Sequence, residues 1–288
     1  MGNALPKLSL GHFSIYLYTM SENLVHTVCT DGFEMEYAQF GNGPKPLVVI
    51  PGLAIKSVMK SADALQVPYK VFTEKYTLYF FDRKKNIQPG YSLKDMARDQ
   101  ALALKAMGLS GVNLFGVSQG GMIAQIIAIQ YPELVSKLVL ASSTSKAVPS
   151  QIELIGNWAR LARAHDGEGL VSAFIDDCFS KPFADRYRRA IQAMYRDVTD
   201  AEMDRFALCA DLCDTVNTID ELYKIKSPTL VLGAGDDKVV TPQASLIIAD
   251  KLKAAGTPCE LEMYEGRGHA VFDELKEYKD RIFEFLEK

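Results

Sequence analysis

The stretch that decides the fold is Val112-Asn113-Leu114-Phe115-Gly116-Val117-Ser118-Gln119-Gly120-Gly121. Its first half is an apolar run typical of a buried strand, and residues 119–130 have the pattern of a helix. A sharp turn therefore joins strand to helix at Ser118, and Gly116 and Gly120 flank it because only small residues fit there. The turn pushes Ser118 out at the carboxyl end of a strand, where open α/β sheets bind ligands. The alternative is a glycine-rich turn with an incidental serine.

Apolar runs alternate with amphipathic stretches along the rest of the chain, which is typical of a mostly parallel sheet covered by helices. Runs such as Leu47-Val48-Val49-Ile50 suit strands that are buried on both faces. The pattern predicts an α/β fold with a central sheet of about eight strands flanked by helices. The predicted strands are 26–30, 33–40, 47–50, 76–81, 112–117, 137–141, 229–232 and 260–264, and the predicted helices are 93–107, 119–130, 242–255 and 271–288.

The strand signal disappears between Lys146 and Asp220, where aromatic and methionine residues recur at helical spacing. This segment predicts about three or four helices, interrupted near Asp166-Gly167 and Lys181-Pro182. A helical insert between two strands of an α/β sheet is a candidate lid. We therefore expect a core formed by 1–145 and 221–288, a helical cap at 146–220, and an N-terminal extension at 1–23.

A serine nucleophile needs a general base, which is normally histidine. The chain has 4 histidines. His12 lies in the N-terminal extension, His26 begins a predicted edge strand, and His165 lies in a polar bend of the insert. His269 follows the last predicted strand, in a glycine-flanked loop at the strand's carboxyl end. Because such a loop can reach Ser118, His269 is the candidate base.

A carboxylate must orient the histidine, and the loop after strand 229–232 supplies two. Asp236 and Asp237 are both available there, and one of them is expected to act only as a turn former. The chain order of serine, aspartate and histidine agrees with the order found in α/β-hydrolase triads.

Two backbone amides are candidate donors to an oxyanion. Gln119 begins the helix after the serine, where free N–H groups and a positive partial charge favour an anion. Leu53 follows Pro51-Gly52 in the loop after strand 47–50, and its amide is the expected second donor.

The chain resembles the α/β-hydrolase superfamily, and most of all its helical-capped esterase and lactonase branch, over about residues 33–288. The resemblance rests on Leu47-Val48-Val49-Ile50-Pro51-Gly52, Gly116-Val117-Ser118-Gln119-Gly120-Gly121, the loop 233–242 and Gly266-Arg267-Gly268-His269-Ala270. It implies an α/β-hydrolase fold with an inserted cap. Aligning Leu230-Val231-Leu232 with the family's pattern places the acid at Asp237 rather than Asp236. The implied catalytic residues are Ser118, Asp237 and His269, with Leu53 and Gln119 as the oxyanion hole.

Two segments depart from the family's pattern. The oxyanion loop begins Pro51-Gly52 where the family commonly has His-Gly, so the backbone donor is kept and the histidine's hydrogen bonds are lost. The segment 81–90 is basic where the family has a glycine-rich loop. We expect it to border the pocket, where an arginine could meet an anionic substrate, although loop cations are more often solvated.

These residues predict a serine hydrolase that cleaves a carboxylic ester, thioester or lactone of a small, partly hydrophobic substrate through an acyl-enzyme. The same triad would also serve carbon–carbon bond hydrolysis, perhydrolysis or acyl transfer. A different class of protein, a non-catalytic receptor on the same scaffold, would be marked by a missing triad member.

Composition excludes several other classes. The 32 basic and 36 acidic residues are scattered along the 288-residue chain, which argues against a nucleic-acid ligand. No apolar run approaches the roughly 18 residues of a membrane-spanning helix, and no signal peptide is visible. The 5 cysteines include Cys209 and Cys213, more simply explained as buried apolar residues than as metal ligands. We expect a cytoplasmic protein with no cofactor and no metal, whose partner is a small-molecule substrate. The sequence leaves homodimerisation open.

Overall fold

The computed structural model describes residues 24–30, 32–88 and 90–288, and the backbone of 9–10 and 13–14. The two short backbone segments pair as antiparallel strands. The remainder of the N-terminal extension lies outside the described residues.

Eight strands form one central sheet. They are β1 (Val25–Thr30), β2 (Phe33–Phe40), β3 (Lys45–Ile50), β4 (Tyr76–Phe81), β5 (Val112–Val117), β6 (Val135–Ala141), β7 (Thr229–Ala234) and β8 (Cys259–Tyr264). Their order across the sheet is β1-β2-β4-β3-β5-β6-β7-β8. The two pairs that involve β2 are antiparallel, and the remaining pairs are parallel. The predicted α/β fold with a mostly parallel sheet is confirmed.

Helices flank the sheet on both faces. They are α1 (Ala62–Leu65), α2 (Leu93–Ala106), α3 (Gln119–Gln130), α4 (Pro149–Arg163), α5 (Gly167–Cys178), α6 (Lys181–Met194), α7 (Asp200–Leu212), α8 (Pro242–Ala254), α9 (Val271–Glu274) and α10 (Glu277–Glu287). Short 3₁₀ turns occupy 58–61, 70–72, 132–134, 213–215 and 222–224. None of the helices in the described ranges is long and apolar enough to cross a membrane.

The central strands are buried on both faces, which explains their apolar sequences. Along β3, Val48 and Ile50 belong to the apolar cluster that also contains α2, α3 and α8. Leu47 and Val49 point to the opposite cluster, which contains the inner face of α10. Fully burying one such side chain contributes about 1.5–3 kcal/mol, so a polar residue at any of these positions would be costly.

The predicted helix at 271–288 is wrong in one respect, because the chain forms two helices there. Leu275 leaves the helical conformation, with φ −117° and ψ 124°. The two helices have different partners: Glu274 at the end of α9 accepts hydrogen bonds from Ser180, whereas α10 packs Tyr278 and Ile282 against the sheet. A single straight helix would not serve both contacts.

The segment between β6 and β7 forms four helices, α4 to α7. Its first two breaks, at 164–166 and 179–180, lie where the sequence indicates them. Trp158 and Phe206 of this segment are buried in the same apolar cluster as the helices of the sheet. Whether 146–220 acts as a separate cap stays a prediction.

Candidate active site

Ser118 stands at the turn between β5 and α3 with φ 52° and ψ −119°. A positive φ is uncommon for a residue other than glycine and persists only where surrounding contacts enforce it. Here the Ser118 N–H donates to the Ala141 carbonyl at 2.8 Å. The Ser118 carbonyl accepts from the Gly121 N–H at 2.9 Å and from the Ser143 hydroxyl at 2.9 Å. These bonds hold the serine in the strained conformation.

The two glycines that flank the turn are required by close backbone approaches. A Cβ on Gly116 would lie 2.5 Å from the Gly120 carbonyl oxygen. A Cβ on Gly120 would lie 2.0 Å from the carbonyl oxygen of Ile50 and 2.5 Å from that of Pro51. The loop after β3 therefore rests directly on the start of α3.

His269 links Ser118 to Asp237. Its Nε2 lies 2.9 Å from Ser118 Oγ, and its Nδ1 lies 2.8 Å from Asp237 Oδ2. A carboxylate oxygen only accepts, so the Nδ1–H donates to Asp237 and Nε2 is left to accept from the serine hydroxyl. His269 and Asp237 are each only 5% exposed, so bulk water does not compete strongly for these bonds.

Of the two aspartates in the loop after β7, only Asp237 joins this chain of hydrogen bonds. Its second oxygen, Oδ1, accepts from the backbone N–H groups of Val239 at 2.8 Å and Val240 at 3.0 Å. The side chain of Asp236 is exposed, and its backbone N–H donates to the Arg267 carbonyl at 2.9 Å. The structure thus brings Ser118, Asp237 and His269 together, and their catalytic roles stay predictions.

The loop that carries His269 is held by the inserted helices. The Ala270 N–H donates to the Cys178 carbonyl at 2.8 Å, and a Cβ on Gly268 would lie 2.7 Å from that same oxygen. The Glu274 carboxylate accepts from the Ser180 N–H at 2.6 Å and from its hydroxyl at 2.7 Å. The orientation of His269 therefore depends on the junction between α5 and α6.

A cleft adjoins the serine turn and encloses about 460 Å³ of empty space, part of it open to solvent. Leu53 and Gln119, the two residues expected to donate to an oxyanion, both line it. Gly52 lines it as well, and a Cβ on Gly52 would lie 3.1 Å from the Ser118 Cβ. The predicted oxyanion residues therefore share one cleft next to the serine.

A charged network that the sequence did not reveal lines the same cleft. Asp82 accepts from the Ser57 hydroxyl at 2.6 Å, and its two oxygens accept from the Arg205 guanidinium at 3.1 and 3.3 Å. Arg83 follows Asp82 and is 9% exposed, and burial lowers the pKa of its guanidinium from the ordinary value. Of the segment 81–90, Asp82 and Arg83 thus border the cleft as expected. Arg205 lies on α7, and no sequence pattern marks it.

The remaining histidines lie elsewhere, whereas Cys209 lines the cleft and Cys213 accepts a hydrogen bond from the Gln119 side chain. The His26 ring packs at a tilt against the Tyr37 ring on β1 and β2, the exposed His165 contacts Asp204 at 2.9 Å, and His12 lies outside the described residues. Cys209 and Cys213 are buried and free, and burial raises the pKa of the Cys213 thiol to about 12. In the ranges 24–30, 32–88 and 90–288 no group of three or more His, Cys, Asp or Glu side chains is arranged to hold a metal ion.

Residues 80–274 match the family model described as the alpha/beta hydrolase fold. The chain belongs to this family. Its serine turn between β5 and α3, and its order of serine, aspartate and histidine, are those expected of an α/β-hydrolase.

Individual relatives of this α/β-hydrolase are distant. The chain is 20% identical over 224 residues to 3-oxoadipate enol-lactonase 2 of Acinetobacter baylyi, which covers 75% of this chain and 80% of the relative. It superposes on MGS-M2, an α/β hydrolase from a Medee basin deep-sea metagenome library, with a TM-score of 0.80 and 20% identity over 91% of this chain and 98% of the other. The enol-lactonase of Burkholderia xenovorans gives a TM-score of 0.76 and 18% identity over 91% and 100%. At these identities the structural likeness shows the fold alone.

Proposed function

We propose that this α/β-hydrolase cleaves a carboxylic ester, thioester or lactone of a small, partly hydrophobic substrate through an acyl-enzyme on Ser118. The observation that carries the proposal is the hydrogen-bonded chain from buried Asp237 through buried His269 to half-buried Ser118, with contacts of 2.8 and 2.9 Å. The sequence similarity to an enol-lactonase supports the lactone as one of the substrate types.

In the first step His269 Nε2 takes the proton of the Ser118 hydroxyl as Oγ forms a bond to the substrate's carbonyl carbon. The carbonyl π electrons move to the oxygen, and the resulting oxyanion accepts hydrogen bonds from the Leu53 and Gln119 amides. When the tetrahedral intermediate collapses, the bond to the leaving oxygen or sulfur breaks. His269 gives its proton to that atom, which in a lactone stays attached to the acyl chain.

In the second step water replaces the leaving group. His269 takes a proton from the water as its oxygen attacks the acyl carbon, and the same two amides hold the second oxyanion. Collapse breaks the bond to Ser118 Oγ, returns the proton to it and releases the carboxylic acid. Asp237 keeps the histidine in the required tautomer and stabilises its charged form throughout.

The amides contribute through their fixed positions. An oxyanion donor typically contributes about 3–4 kcal/mol to transition-state stabilisation, because its dipole needs no reorganisation during the reaction. Gln119 is 1% exposed, so its position cannot relax freely.

The preference for a partly hydrophobic substrate is supported by the apolar part of the cleft wall. Val58 and Ile55 come from the segment after β3, and Phe206 comes from α7. Because α7 belongs to the insert, its place in this wall also supports the assignment of 146–220 as a cap. We further infer a reducing, cytoplasmic setting, since the five cysteines are all free.

The test is labelling with a fluorophosphonate probe together with hydrolysis of short-chain nitrophenyl esters, thioesters and lactones. Wild type should label at a single site and hydrolyse at least one of these substrates, whereas Ser118→Ala and His269→Ala should lose labelling and turnover. A wild-type protein that neither labels nor turns over any of them would contradict the proposal and favour a non-catalytic binding protein. Product analysis with added alcohol or hydrogen peroxide separates hydrolysis from acyl transfer and perhydrolysis.

A further inference from the structure

The two amides proposed to hold the oxyanion come from distant parts of the chain. Leu53 lies in the loop after β3, and Gln119 begins α3. An oxyanion benefits from both only if their spacing is fixed before the reaction, since donors must lie within about 2.7–3.1 Å of one small atom. A side chain that contacts both segments would set that spacing.

Arg83 makes contact with both segments. Its Nη2 donates to the Pro51 carbonyl at 2.8 Å, two residues before Leu53. Its Nη2 and Nε also donate to the Gln119 side-chain oxygen Oε1, at 3.2 and 3.3 Å. A guanidinium is planar and its N–H groups have fixed directions, so these bonds define the separation of the two segments.

Arg83 is itself held on its backbone. Its N–H donates to Asp82 Oδ1 at 2.7 Å, and its carbonyl accepts from Arg205 Nη2 at 2.7 Å. Arg205 also binds the Asp82 carboxylate, with its Nη2 3.1 Å from Oδ1. Arg83 is therefore fixed to the end of β4 on one side and to α7 on the other.

The Gln119 side chain is also held by hydrogen bonds to α7 and the turn after it. While its Oε1 accepts from Arg83, its Nε2 donates to the Cys209 carbonyl at 2.6 Å and to Cys213 Sγ at 3.3 Å. Both acceptors lie at the C-terminal end of α7 and the turn that follows it. Gln119, which supplies one proposed oxyanion amide, is thus held through both the oxygen and the nitrogen of its side-chain amide.

We propose that Arg83 is a positioning residue for the oxyanion site, which sets the spacing between the Leu53 and Gln119 amides. The inference rests on the proposed function. An oxyanion exists only in the tetrahedral states, so loss of Arg83 should lower kcat and the affinity for tetrahedral adducts while KM changes little.

The experiment compares Arg83→Met, Arg83→Lys and wild type, with active-site concentrations fixed by fluorophosphonate titration. Arg83→Met should lose about 10–100-fold in kcat, and its inhibition constant for a phenylboronic acid should rise by a similar factor. Arg83→Lys should lose less, because its ammonium keeps the positive charge. It should still lose some kcat, because an ammonium cannot bind both segments in the same plane.

Lys85→Gln is the matched control, because it removes one positive charge from the same loop. Lys85 is exposed and forms an ion pair with Glu36 at 2.7 Å, away from the cleft. Its kcat should stay within about twofold of wild type, since an exposed ion pair contributes little. Melting temperatures show which variants fold, and if Arg83→Met does not fold, Arg83→Lys decides the question.

The two proposals fail in different ways. An inactive wild type overturns the proposed function, and the inference falls with it. An active wild type, together with Arg83 variants that keep kcat and phenylboronic acid affinity within about threefold, overturns only the role of Arg83. A raised KM with unchanged kcat also overturns it, because that result would make Arg83 a substrate-binding group.

Discussion

Asp236 and Asp237 are neighbours in one loop and occupy opposite environments. Asp237 is 5% exposed and has both carboxylate oxygens in hydrogen bonds, one set to backbone amides and one to His269. Asp236 projects into solvent. The residues alone left both open, and the alignment of the preceding strand with the family's pattern favoured the one that the structure places against the histidine.

Asp237→Asn should lower kcat by about 10³–10⁴-fold, and Asp236→Asn should leave it within about twofold. The amide of an asparagine at 237 can donate to His269 Nδ1, which selects the tautomer whose Nε2 carries the proton and cannot accept from Ser118. Steady-state kinetics on the best ester of the panel measures both kcat values, and circular dichroism checks that both variants are folded. A larger loss at 236 than at 237 would contradict this assignment.

The sequence predicts some side chains of the candidate site better than others. Ser118 is marked by its flanking glycines and His269 by its loop, because both depend on local sequence. Arg83 lies in the basic segment 81–90, which the sequence predicts at the pocket, but the sequence does not predict its contacts. Its partners are a backbone carbonyl and a buried amide that are distant in sequence, so only the folded chain reveals its contacts.

At the scale of single elements, α10 is attached to the sheet through Glu287. Its carboxylate accepts from Lys75 and from Lys45 at 2.9 Å, and also from the Tyr76 hydroxyl at 2.6 Å. The hydrogen bonds from Lys75, Tyr76 and Lys45 lower the pKa of Glu287 from 4.5 to about 2. The charged carboxylate therefore stabilises the folded state.

Glu287→Gln should lower the melting temperature at pH 7. Because the folded-state pKa lies below the unfolded value, the contribution of Glu287 is fully present above pH 4.5 and is lost as the pH falls through about 2. The difference in melting temperature between wild type and variant should therefore narrow over that interval, and also at high salt. Glu284→Gln is the control, since Glu284 is exposed on the same helix. A difference that grows towards acid would show that the sign is wrong.

The elements themselves were predicted to different degrees. All eight strands of the central sheet were predicted. The central ones, such as β5 and β7, follow from apolar runs, because a strand buried on both faces has no freedom to be polar. The separation of α9 from α10 was not predicted, because their apolar spacing is continuous. The break accompanies the hydrogen bond between Glu274 and Ser180, which lies in another part of the chain. The short turns at 58–72 were also missed, because 3₁₀ turns leave no long period in the sequence.

At the scale of the whole molecule, one apolar cluster includes residues of α2, α3 and the inserted helices. The single tryptophan, Trp158, lies on α4 within the insert and is 2% exposed. Its indole N–H donates to Asp177 Oδ2 at 2.8 Å, and its ring packs against Phe174. Tryptophan fluorescence therefore reports on the insert alone.

Thermal unfolding followed by Trp158 fluorescence and by far-ultraviolet circular dichroism should give midpoints that agree within about 2 °C. Because the insert shares its apolar core with helices of the sheet, we expect the two to unfold together. A fluorescence midpoint well below that of circular dichroism would show instead that 146–220 unfolds as an independent unit.

The 151 residues that separate Ser118 from His269 along the chain have a consequence for synthesis. Strands β3, β5 and β6, together with the serine turn, leave the ribosome before the insert, and the insert leaves before the loop that carries the histidine. Because domains usually complete folding as units, Ser118 lacks its proposed base until the loop that carries His269 has docked. A nascent chain of this protein would therefore carry an unactivated serine, and the proposed capacity for acyl transfer would appear only after that loop has docked.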